Sequence, residues 1–179
     1  MNLKSFKIFS SLIIFLISIF THFGYEILPN YITSFFFPVN ESIFEHIKVI
    51  LSAYLIYSII EYLFLKFNSI STKNFKSNMI FSITFNIFIF FIIYLPVYYI
   101  FKHNIIVTLV IYFLSILLTQ IISYKLLKNN TTFSFLEKYF FIILLIYQLL
   151  LIYFTYYPLK HDIFIDTNNK KIGLNNYYL

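Results

Sequence analysis

The sequence predicts an all-α fold: a polytopic transmembrane helical bundle of about five spans, with the N-terminus in and the C-terminus out. Three observations carry that expectation. Of 179 residues 60% are apolar, mean hydropathy is +0.83 and only 11% are charged, whereas a soluble domain carries about 25% charged residues. Apolar runs long enough to cross a bilayer, about 20 residues each at helical rise, recur along the chain and exclude a soluble domain with a single buried core. The 13 basic residues, all lysines, are shared unequally between alternate connections, which sets the orientation.

The first span covers residues 8–28, behind Lys4 and Lys7 and ahead of Pro29. A basic start before an apolar stretch also resembles a secretory signal, but no small-x-small cleavage site follows, so the segment is read as an uncleaved helix. The second span opens after the Pro38-Val39-Asn40 turn and covers 42–67; the third covers 78–101, the fourth 105–127 and the fifth 135–157. Residues 1–157 thus form one membrane domain, and 158–179 are an extracytoplasmic tail. With the N-terminus inside, eight lysines (Lys4, Lys7, Lys66, Lys73, Lys76, Lys125, Lys128, Lys138) are cytoplasmic and five (Lys48, Lys102, Lys160, Lys170, Lys171) are outside. The expected location is the plasma membrane of a bacterial cell, and the excess of Lys, Asn, Ile, Phe and Tyr fits an AT-rich genome. Absence of cysteine excludes disulfides and thiolate metal sites. The lipid bilayer is the expected partner; nucleic acid is not, and the sequence specifies neither a small-molecule ligand nor an oligomeric state.

Polar residues concentrate at the outer ends of the spans. His22 and Glu26 stand four apart at the end of the first, which on a continuous helix puts them on one face, about 5 to 6 Å apart at Cβ. That spacing suits a shared metal, or a proton passed between imidazole and carboxylate; the alternative is that both mark where the helix leaves lipid, with Tyr25 as an interfacial aromatic. The start of the second span is denser, with Asn40, Glu41, Ser42, Glu45, His46 and Lys48 close together. Asn40 or Ser42 can cap the helix, and Ser42 with Glu45 fits the capping box. Capping does not require two carboxylates, a histidine and a lysine. In the tail His161, Asp162 and Asp166 follow Pro158, and the segment either lies back over the outer surface or moves freely. His103 stands alone in a short outer turn.

These residues resemble a family of small bacterial integral membrane proteins known only as a domain of unknown function. The likeness rests on His22, Tyr25 and Glu26 in one motif, on Pro38, Asn40, Glu41, Ser42, Glu45, His46 and Lys48 in a second, and on a looser tail ending at Gly173. Phe44 stands where the family more often has Trp, and Thr167 where Pro is expected. The resemblance implies a helical membrane fold and no activity.

Three functional readings follow. In one, His22, Glu26 and His46 hold a divalent metal such as Zn²⁺, with Glu41, Glu45 and His46 as acid/base groups. Tyr25, Asn40, Ser42, Lys48, Asp162 and Asp166 surround them, and the site works at the outer membrane face on a lipid or lipid-linked substrate. In the second, the polar motifs only cap and tie helices or bind a partner. The third, a transporter, requires charge at mid-depth, and the last three spans supply only Asn86, Pro96, Gln120 and Gln148 there.

Overall fold

Apolar runs with polar ends become helices because lipid offers the backbone no hydrogen-bond partner. The computed structural model describes residues 2–101, 104–129, 133–174 and the backbone of 177–178; Lys102 and His103, placed above on the outer side, lie outside the described residues. The helices are α1 (Leu3–His22), α2 (Gly24–Ile27), α3 (Tyr31–Phe36), α4 (His46–Phe67), α5 (Phe75–Phe101), α6 (Ile105–Lys128), α7 (Ser134–Lys138) and α8 (Phe140–Tyr156). A 3₁₀ turn, Asp162–Phe164, and a short antiparallel pair, β1 (Lys171–Ile172) with β2 (Tyr177–Tyr178), follow. The fold class is all-α, that of a helical membrane protein. Leu3–Ile27, His46–Phe67, Phe75–Phe101 and Ile105–Lys128 are long and apolar enough to cross a membrane, while α8 is a shorter apolar helix of 17 residues, about 25 Å at helical rise.

Element ends differ from expectation in two informative places. Residues 43–45 form a turn, so the second long helix starts at His46 rather than at 42. The stretch 135–157 is divided at Tyr139, which leaves helical geometry (φ −102°, ψ 17°) and separates α7 from α8.

The chain forms two compact units, Met1–Ile17 with Tyr54–Phe140, and Ser18–Ala53 with Phe141–Leu179. In the first, α5 packs on α6 through buried small polar residues spaced four apart, Asn78, Ser82 and Asn86 against Ser115, Thr119 and Ser123, which allow close approach of backbones. Lys7 is 1% exposed, paired with Glu61, and its Nζ donates to Ser123 Oγ at 2.7 Å. Lys7 is therefore not a loop cation, and it leaves the lysine count used above for orientation.

The second unit is built on the connection between α1 and α4. Gly24 is required where it stands: the Phe37 ring occupies the place a Cβ would take. The capping box lies not at Ser42 but at Asn30, whose side chain accepts from the Ile32 and Thr33 N–H groups while Asn30 N–H donates to Thr33 Oγ1. At the other end of α3, three consecutive carbonyls that the helix leaves without partners each accept from a side chain. Ser34 O accepts from Lys48 Nζ at 2.8 Å, Phe35 O from Gln148 and Phe36 O from Ser52 Oγ at 2.5 Å.

The tail docks on residues 38–45. Phe44 N–H donates to Ile163 O at 2.9 Å, and the Phe44 ring stacks on Phe164 at 4.6 Å. Asn40 Nδ2 donates to Gly173 O at 3.2 Å; Gly173 has φ +60°, and a Cβ there would meet Thr155 O and Pro158, so only glycine suits both the backbone and the space. Asp166, 2% exposed, accepts from the N–H groups of Glu41, Asn168 and Asn169. Asp166→Ala leaves those three donors unmet and is expected to cost about 2 to 3 kcal/mol in thermal denaturation. It should also speed cleavage after Lys160, Lys170 and Lys171 by a lysine-specific protease, whereas Asp166→Asn, which keeps an acceptor oxygen, should do less of both.

Candidate metal centre

Three segments each deliver one side chain to a single place. His22 is the last residue of α1, where Phe23 (φ −90°, ψ 1°) interrupts the helix before α2. Glu41 sits in the loop before α4, its backbone fixed by the tail: its N–H donates to Asp166 Oδ2 at 3.3 Å, and its carbonyl accepts from Thr167 N at 3.5 Å and Thr167 Oγ1 at 3.3 Å. His46 opens α4, and its Nδ1 lies 2.7 Å from Ser42 O. Because a carbonyl only accepts, Nδ1 carries a proton, and in the neutral imidazole the lone pair therefore lies on Nε2.

The three side chains converge. His22 Nε2 lies 3.4 Å from Glu41 Oε1, His46 Nε2 lies 3.6 Å from Glu41 Oε2, and the imidazole centroids are 5.3 Å apart. One donor atom from each residue lies within 4.8 Å of the others, and all three residues are half-buried, so the group could hold a metal ion. Tetrahedral zinc with bonds of 2.0 to 2.1 Å sets neighbouring donors about 3.3 Å apart, close to the two histidine-to-glutamate distances. The Nδ1–H bond to a backbone carbonyl is the outer hydrogen bond that orients a ligating imidazole.

Other expected site residues are placed differently. Glu26 is exposed and is not one of the three converging residues, although it lies near enough for its charge to act on His22. Tyr25 is half-buried beside it in α2. Glu45 does not close a capping box: its N–H donates to Ser42 Oγ at 3.3 Å, but its carboxylate turns elsewhere, and Ser42 N–H goes to Asn40 Oδ1 at 2.9 Å. Oε2 of Glu45 accepts from Val39 N–H at 3.0 Å and pairs with Lys48 Nζ at 2.8 Å, and Oε1 accepts from Thr155 Oγ1 at 2.7 Å. Both oxygens are engaged, and Glu45 and Lys48 are 2% and 1% exposed. Asp162, at the head of the 3₁₀ turn, is exposed, while Asp166 acts on Glu41 through the Glu41 backbone. The sequence gives no sign of the partners of Thr155, Thr167 and Gln148, since a lone polar residue in an apolar helix or a polar tail carries no local signal of a partner more than 100 residues away.

Glu45→Gln is expected to destabilise the protein by about 3 to 5 kcal/mol, because it leaves the Lys48 charge buried without its counter-charge; loss of a cap alone would cost about 1 kcal/mol. Adding Lys48→Met to Glu45→Gln should recover part of the loss in the same denaturation measurement.

No curated protein and no solved structure matches the chain. Residues 1–174, which include both histidine motifs, match the Family of unknown function (DUF6512), and the chain belongs to that family.

Proposed function

We propose that this is a bacterial plasma-membrane protein of five spans, N-terminus in and C-terminus out, that binds Zn²⁺ through His22, Glu41 and His46 at the extracytoplasmic face and uses it on a lipid or lipid-linked substrate. The observation that carries the reading is the spacing of the two imidazole nitrogens around one carboxylate. Three protein ligands leave a fourth position for water, the arrangement of catalytic zinc, whereas structural zinc has four protein ligands. A metal so placed supplies a hydroxide-like nucleophile near neutral pH. Support for a lipid substrate comes from the connection that follows His22, where Ile27, Leu28, Tyr31 and Ile32 are all exposed, an apolar surface suited to acyl chains. Glu45, locked to Lys48 and Thr155, is a positioning group in this reading. A structural role is the second reading, favoured by the same pair of distances: protonated His22 and His46 can both bind Glu41 as ion pairs and tie three segments without a metal.

Zinc titration of the purified chain separates the two. The metal reading expects one Zn²⁺ per chain, and at 100-fold excess over Kd a rise in stability of about 2.7 kcal/mol. His22→Ala, His46→Ala and Glu41→Gln should each abolish the shift, the double histidine variant should be no worse than either single one, and Glu26→Gln should keep it. A wild-type protein that neither retains zinc nor gains stability from it leaves the structural reading.

Orientation is open to a separate measurement. Reporter fusions after Lys76 and Lys128 should be cytoplasmic and a fusion at Leu179 extracytoplasmic; a cytoplasmic C-terminus overturns the proposed placement.

A further inference from the structure

The first unit holds a second polar feature that metal binding does not use. At one end of its helices Lys7 and Glu61 pair while buried, and Ser123 Oγ accepts from both Lys7 Nζ at 2.7 Å and Asn78 Nδ2 at 2.8 Å. All four residues lie within about two turns of a helix end. Deeper along the same helices the charged groups give way to neutral ones. Asn86 Nδ2 shares its donors between Ser115 and Thr119 at 3.2 and 3.3 Å, and the Tyr54 hydroxyl lies beside Thr119 and Gln120.

Small polar residues at this spacing serve helix packing, and that explains Ser115, Thr119 and Ser123. It does not explain Gln120. This side chain is 1% exposed; the Tyr54 hydroxyl beside it is near enough to share one hydrogen bond, which leaves the rest of its amide unmet, and the side-chain Oδ1 atoms of Asn78 and Asn86 are unmet as well. Buried polar groups are met by protein or by ordered water, and the set here combines unmet donors with unmet acceptors. An anion would meet only the donors and a cation only the acceptors. Water meets both and is small enough to lie among closely packed helices.

We propose that the first unit contains a hydrated inlet. It opens at the helix ends beside the Lys7–Glu61 pair and closes at Gln120, with water as its ligand. The ion pair is thereby solvated from within the protein.

The sequence has no cysteine, so single substitutions report this directly. Thr119→Cys and Ser123→Cys are placed in the inlet and Leu118→Cys, at a lipid-facing position of the same helix, is the reference. Each full-length variant, in lipid vesicles and confirmed as folded by size-exclusion chromatography, is exposed to silver ion, a probe close to water in size. Silver reacts with thiolate, which forms where water reaches the sulfur. Remaining thiols are then labelled with a maleimide after denaturation and read by mass. The expected result is loss of most label at residues 119 and 123 and its retention at 118. Label kept at 119 and 123 as fully as at 118 means a dry seam and overturns the proposal.

Discussion

The second unit depends on the buried pair of Glu45 and Lys48. A charge in a low-dielectric interior is tolerated only when paired and hydrogen-bonded, and here each member meets its remaining needs with a different segment. Glu45 reaches the Val39 backbone and Thr155 of α8, and Lys48 reaches the final carbonyls of α3 through Ser34. One ion pair therefore joins α3, the loop before α4, α4 itself and α8. Its positive member lies at the negative end of a short helix, where the backbone dipoles favour it. Apolar packing alone would hold these segments less specifically, since lipid competes for apolar surface but cannot replace a buried hydrogen bond.

The candidate metal centre is held by that framework rather than by its own contacts. Glu41 is aimed by Asp166 and Thr167 acting on its backbone, and His46 by the Ser42 carbonyl. His22 ends α1, with its ring edge-on to Phe23 at 4.9 Å. Donor spacing close to that of a bound ion thus arises without any of the three side chains serving in the knot, a division of labour that leaves their electron pairs available.

What could be read from the chain follows the range of each interaction. The long helices were legible because a run of Ile, Leu, Phe and Tyr has one outcome in lipid, and the nearness of His22 to His46 followed from the ends of two spans sharing one connection. That Glu41 stands with the two histidines, where the sequence pointed to Glu26, was not legible, because the loop that carries Glu41 is fixed by the distant Asp166 and Thr167. Glu45 looked like a cap because Ser42 stands three before it, but its carboxylate is taken by Thr155, Lys48 and the Val39 N–H, and the Ser42 N–H goes to Asn40 instead. Two of the 13 lysines, Lys7 and Lys48, are buried in ion pairs; a topology rule that counts basic residues near span ends treats them as loop charges.

Docking of the tail has a consequence for the order of assembly. The bonds that fix the loop before α4 join residues 125 apart, Glu41 to Asp166, and 133 apart, Asn40 to Gly173. A chain made from its N-terminus delivers His22, Glu41 and His46 early but completes the surroundings of Glu41 only when its last residues arrive. Helices form locally and fast, whereas contacts of such separation form late. The histidines and the glutamate should therefore coexist in the nascent protein without a fixed geometry, and a chain stalled or cut before Asp166 would carry all three ligands and no centre.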